Sequence, residues 1–74
     1  MSNSKFVVCL SNEGYPASLE PRKLYEFLDD PQAADKGLLR VIDESGEDYL
    51  YPARMFALMP IPESLADTLH NLAA

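Results

Sequence analysis

Six prolines and three glycines, the last of them Pro62, punctuate this chain of 74 residues. They confine regular structure to short runs, because proline removes a backbone donor and glycine favours turns. Between the breakers stand KFVVCL at 5–10, KLYEFL at 23–28, LLRVID at 38–43, DYLY at 48–51 and FALM at 56–59. Each run has four to six residues, β-branched, aromatic or aliphatic, which suits a strand and is too short for a helix. Five short strands joined by turns predict a single, mainly β domain of the small-barrel kind.

The connections carry their own signals. SNEG at 11–14 is a turn, and Tyr15, Ala17 and Leu19 alternate around Pro16 in a loop expected to return along the barrel. DDPQAADKG at 29–37 is the longest loop. Within it, Asp30 can cap a helical turn over 31–35 that has Pro31 at its first position. ESGE at 44–47, between two β-rich runs, makes a hairpin. Pro52 ends the fourth strand, 53–55 fits one tight helical turn, and FALM is the last strand.

Beyond Pro62 the period changes. Leu65, Leu69 and Leu72 recur at spacings of four and three, one face of a helix started by Pro62 and Glu63 and favoured at its end by His70. A helix of about twelve residues is marginal alone, so it docks or frays. The expected organisation is a disordered terminus at 1–4, a barrel at 5–60, and an amphipathic helix at 61–74, docked or partly frayed.

Charge and cysteine narrow the function. Twelve acids against six bases give a net charge of −6 and a pI near 4.4. The bases are scattered, whereas phosphate and anionic-lipid contacts need clusters of Lys and Arg. Nucleic acid and membrane partners are therefore not expected. Cys9 is the single cysteine, so no internal disulfide can form, and the apolar stretch at 6–10 is too short for a signal core. A cytoplasmic protein is the natural expectation.

From 17 to 59 the chain resembles the Src-homology-3-like barrel. Ala17-Ser18-Leu19 and then Tyr25-Glu26-Phe27 look like that family's diverging turn and second strand. GEDYLYPARMF, from Gly46 to Phe56, looks like its distal turn, fourth strand, proline and one-turn helix. The resemblance implies a five-stranded Src-homology-3-like barrel with a one-turn helix before the last strand, here followed by a short C-terminal α-helix. It implies a core of Tyr25, Phe27, Val41, Tyr51 and Phe56. It also maps a proline-peptide groove onto Leu50, Pro52 and Met55, with a position near Gly37 or Leu38. The chain departs from that groove: it has no Trp, Leu50 and Met55 stand where aromatics are expected, and KFVVCL replaces the first-strand tyrosine motif. The likeness thus speaks for the fold and not for proline-peptide binding. The DESGEDYLYP segment is also similar to one in a family of small uncharacterised bacterial proteins.

Asp43, Glu44, Glu47 and Asp48 crowd the hairpin tip. Calcium loops spread their ligands over a longer segment, so this tip reads as a solvated turn, and neither metal nor cofactor is expected. His70 has no second histidine or nucleophile motif beside it, and Cys9 reads as a half-buried strand cysteine. The expected function is a non-enzymatic protein-interaction or accessory module, a monomer or weak homodimer. Its contact surface is expected at Tyr15, Leu50, Pro52 and Met55, although alternation turns Tyr49 and Tyr51 away from Leu50. A partner-helix face at Leu65, Leu69 and Leu72 is the other candidate. Two alternatives stand beside this reading: a small acidic regulator docking on a basic protein surface, and a divalent-cation-binding protein built on the acidic hairpin.

Overall fold

A computed structural model describes residues 5–73, so the terminus at 1–4 lies outside the described residues. In chain order it contains β1 (Lys5–Cys9), β2 (Leu24–Leu28), α1 (Pro31–Asp35), β3 (Leu38–Ile42) and β4 (Asp48–Pro52). A 3₁₀ turn (Ala53–Met55), β5 (Phe56–Met59) and α2 (Glu63–Ala73) complete it. The strands form one antiparallel sheet in the order β4-β3-β2-β1-β5. No ladder joins β4 to β5 among the described residues, so the sheet is open between those two edges.

Local chemistry sets the element boundaries. β2 begins one residue later than the apolar run suggests, because the Lys23 amide closes a turn onto the Glu20 carbonyl at 3.3 Å. That turn holds Arg22 at φ 71, a left-handed backbone uncommon for a side-chain-bearing residue, and the Arg22 amide donates to the Cys9 carbonyl at 2.7 Å. β4 runs on to include Pro52, because an edge strand tolerates a missing donor on its open side. At the β3–β4 hairpin, Gly46 has φ 84, which permits the tight reversal, and the Asp43 amide donates to the Glu47 carbonyl at 3.1 Å. The cap on α1 is the one its sequence predicts. Asp30 accepts from the Ala33 amide at 3.1 Å, Pro31 opens the helix, and Arg40 Nε donates to the second Asp30 oxygen at 2.9 Å.

Two-residue periodicity sorts the side chains onto two faces. The register sets Val7 opposite Tyr25, Phe27 opposite Val41, and Cys9 opposite Phe56 on the inner face. Together with Tyr51, Met55 and Leu19 these residues form the main core, with Phe27 and Leu39 at its margin. Leu19 comes from the connection between β1 and β2, yet it is fully buried. This connection is pinned by Asn12 Nδ2 donating to the Leu19 carbonyl at 3.2 Å and by the Glu44 amide donating to the Ser18 carbonyl at 3.0 Å. It therefore covers the inner face as a fixed flap. The outer face carries Phe6, Val8, Leu24, Glu26, Arg40, Ile42 and Leu50, by the same alternation.

Filling the core from a loop has a measurable consequence. Leu19→Ala leaves a hole under the flap that the pinned backbone cannot close, and should cost about 2–5 kcal/mol. Urea unfolding monitored by circular dichroism checks this. A loss below about 1 kcal/mol would mean that the flap collapses onto the cavity.

Candidate functional site

The helix α2 lies against the outer face of the sheet through few residues. Ala66 is 2% exposed, and Phe6 on β1 is buried outside the main core cluster. His70 Nδ1 stands 2.8 Å from Glu26 Oε1 on β2, a contact between residues 44 positions apart that holds the last turns of the helix. Between α2, β2, β3 and the hairpin tip a cleft of about 390 Å³ opens. Phe6, Leu24, Ile42 and Leu69 give it an apolar floor, and Glu26, His70, Lys23 and Glu44 stand among its lining residues.

Each charged group in the cleft has a specific partner. Glu44 Oε2 receives Lys23 Nζ at 2.6 Å and the Tyr25 hydroxyl at 2.6 Å, and that hydroxyl accepts the Glu20 amide at 2.7 Å. The bond from Lys23, followed by that from Tyr25, holds Glu44 below the usual carboxylate range. Lys23 is raised by the same bond, and Tyr25 is raised by burial and then by the neighbouring carboxylate. His70 is raised above its ordinary value by its bond to Glu26 and by the charge of that group. Asp43, just behind, is the one buried charged residue among the described residues, at 6% exposure. Burial alone would raise it. Hydrogen bonds from Ser45 and from the Tyr51 hydroxyl, at 2.5 Å each, more than offset that and hold it low. Tyr51 is pushed up to about 12, by burial first and then by Asp43.

The expected aromatic patch is not assembled as one surface. Met55 is buried at 6% in the main core, a correction to its expected exposure, because the 3₁₀ turn folds it inward to the cluster that also holds Tyr51 and Phe56. Tyr15 packs edge-on against Tyr51 on the inner side, with ring centroids 4.9 Å apart. Leu50 and Pro52 follow the opposite alternation on β4, paired with Arg40 and Leu38 on the outer face. Alternation separates Tyr15 from Leu50.

The leucine stripe of α2 divides as well. Leu69 lines the cleft, whereas Leu65 and Leu72 are 45% and 78% exposed. No three His, Cys, Asp or Glu side chains converge as a metal site among the described residues. At the acidic tip Asp43, Glu44 and Asp48 accept hydrogen bonds from Ser45, Tyr25 and Arg40. Cys9 is a buried free thiol donating to the Ser11 carbonyl at 3.2 Å, raised by burial and so held in its unreactive form. Another hollow of about 340 Å³ beside α1 has its charged groups paired, Asp30 with Arg40 and Asp29 with Lys5. The cleft under α2 escaped the sequence reading because Glu26, Lys23 and Glu44 are ordinary surface charges until a helix beginning only at Glu63 is laid across them. Comparison with protein-family models, curated proteins and solved structures yields no match for this chain.

The Glu26–His70 contact has a definite pH sense. A histidine whose folded pKa is raised adds stability that is present in full below the unfolded value near 6.5 and is lost as pH rises through the folded one. NMR titration should therefore find His70 above 6.5 in the native chain and back near 6.5 in Glu26→Gln. The difference in thermal midpoint between the two proteins should be larger at about pH 5.5 than at about pH 8.5. Equal differences at both would show that the pair does not hold the helix.

Proposed function

We propose that this chain is a non-enzymatic protein-interaction module, and that its contact surface is the α2 side of the sheet. The observation that carries this reading is the division of the α2 leucines: one floors a cleft while Leu65 and Leu72 remain uncovered beside it. An exposed leucine pair bordering an apolar-floored cleft is an economical contact surface, since covering apolar area is the main favourable term in association. The titratable groups of the cleft are bonded to one another as structural pairs, an arrangement that favours binding over proton transfer.

The fold reading belongs to the same proposal. A strand order of β4-β3-β2-β1-β5, with a 3₁₀ turn between β4 and β5, supports an Src-homology-3-like barrel left open between its edge strands. The inward packing of Met55 argues against a proline-peptide groove, because a residue that would line it is spent on the core. The −6 net charge favours a second, compatible reading, a small acidic regulator whose partner surface is basic. A lone free cysteine supports a cytoplasmic home, and no helix among the described residues is long and apolar enough to cross a membrane.

The test is capture from the native host with the tagged chain and with Leu65→Asp/Leu72→Asp, two exposed substitutions that leave the core intact. The native chain should retain a specific protein, and the double variant should lose it. The isotope-labelled chain should then show amide shifts at Leu24, Leu69 and neighbouring positions when that protein is added. Equal retention by the variant, or shifts confined to Tyr15 and β4, would overturn the assignment of the surface.

A further inference from the structure

The cleft under α2 has a chemical character that the general reading leaves unused. Its floor is incompletely covered: Leu24, Ile42 and Leu69 are only half-buried, although Phe6 beside them is buried. The volume, about 390 Å³, sits toward the small end of the range of roughly 300–1,000 Å³ typical of ligand pockets. It suits one large side chain and its immediate neighbours better than a whole helix face.

Around this floor the charge is one-sided. Glu26, Asp43 and Glu44 line the cleft. Glu20, Glu47 and Asp67 flank it, each within one turn or one bond of a lining group. The Glu20 amide bonds Tyr25, the Glu47 carbonyl receives the Asp43 amide, and Asp67 stands on the same helix turn as His70. These are six of the chain's 12 acids. Facing them are Lys23 and His70, both already paired, and Arg22 next to Lys23. Glu20, Glu47 and Asp67 take part in no salt bridge among the described residues.

Resting on the protein-binding reading, we infer that the cleft receives an extended segment of a partner protein in which one apolar side chain is flanked by lysines or arginines. The apolar side chain covers Leu24, Ile42 and Leu69, and the flanking cations meet Glu20, Glu47 and Asp67. A second copy of this chain fits poorly there, because its net charge of −6 would bring like charges together around the rim. An acidic segment fails for the same reason.

The probe is a capped glycine-serine peptide carrying one leucine between two pairs of lysines, titrated into the isotope-labelled full chain. Two controls replace the leucine by serine or the lysines by glutamates. The lysine–leucine peptide should shift the amides of Leu24, Glu26, Ile42 and Leu69, and its affinity should fall as salt is raised. Both controls should bind far more weakly. The triple variant Glu20→Gln/Glu47→Gln/Asp67→Asn, which touches no core or bonded side chain, should bind it about eightfold more weakly, three exposed ion pairs at a factor of about two each. Leu69→Ser should abolish the shifts, with circular dichroism and the Glu26 amide reporting whether α2 remains docked.

Equal binding of the serine control would leave charge alone as the determinant and overturn the inference. So would equal binding of the glutamate control, unchanged affinity in the triple variant, or no shift with the lysine–leucine peptide. Those failures leave the broader reading standing if the Leu65/Leu72 capture succeeds. Loss of both results would remove the module reading itself.

Discussion

A carboxylate buried at the root of the β3–β4 hairpin constrains everything around it. Asp43 is 6% exposed, and its two oxygens are taken by Ser45 and by the Tyr51 hydroxyl. A buried charge is tolerable only when its hydrogen bonds are complete, since an unpaired one costs several kcal/mol. Tyr51 reaches it from β4, eight residues on, so the hairpin register and the ring position in the core are fixed by one contact. Tyr15 and Phe56 then stack edge-on against that ring, at 4.9 and 6.2 Å, and through them the flap and β5 inherit the same reference point. The neighbouring residue extends the arrangement outward. Glu44 collects Lys23 and Tyr25, and the Tyr25 hydroxyl collects the Glu20 amide. The acidic tip, in which a metal site could be imagined, is largely spent on internal bonding.

The strands, the capped α1, the hairpin and the 3₁₀ turn were legible because each rests on local chemistry. Asp30 before Pro31, Ser-Gly between β-rich runs, and Pro52 before Ala53 act over a few residues, and nothing distant overrides them. The burial of Leu19 and of Met55 was not legible, for the opposite reason. Leu19 lies in a stretch broken by Pro16 and Pro21, where periodicity says nothing about burial, and only the Asn12 and Ser18 bonds show the segment folded over the core. Met55 sits in a three-residue turn whose direction depends on where β5 pairs, information that resides in β1. Boundaries slipped where a turn reached into a strand, as at Lys23, and where an edge accommodated a proline, as at Pro52.

The candidate site was the least legible feature because it exists only between elements. His70 at the end of a helix and Glu26 in the middle of a strand each have a sufficient local explanation, the helix dipole for one and an outward-facing polar position for the other. Their 2.8 Å approach creates the cleft wall, and no spacing rule in the sequence connects residues 44 apart. The leucine stripe shows the same limit. Its period announces a helix correctly, yet Leu69 covers the sheet while Leu65 and Leu72 do not, because the docking angle is set by Ala66 and the Glu26 contact.

The weakness of that docking is what gives the α2 side its character. A helix of 11 residues has little stability of its own, and here it is held mainly by one small buried residue, one leucine and one surface ion pair. Ala66 allows close approach but contributes little apolar area, so the helix stands near the sheet at one point and leaves a cleft beside it. Had a large side chain occupied position 66, the helix would sit farther out, and neither the ion pair nor the cleft would have this geometry. The acidic residues divide along the same line. Asp30, Asp43, Glu44 and Asp48 are bonded within the sheet side of the domain, whereas Glu20, Glu47 and Asp67 take part in no salt bridge among the described residues. The negative field therefore surrounds a cleft whose apolar floor is incompletely covered, so charge and shape favour the same kind of visitor there.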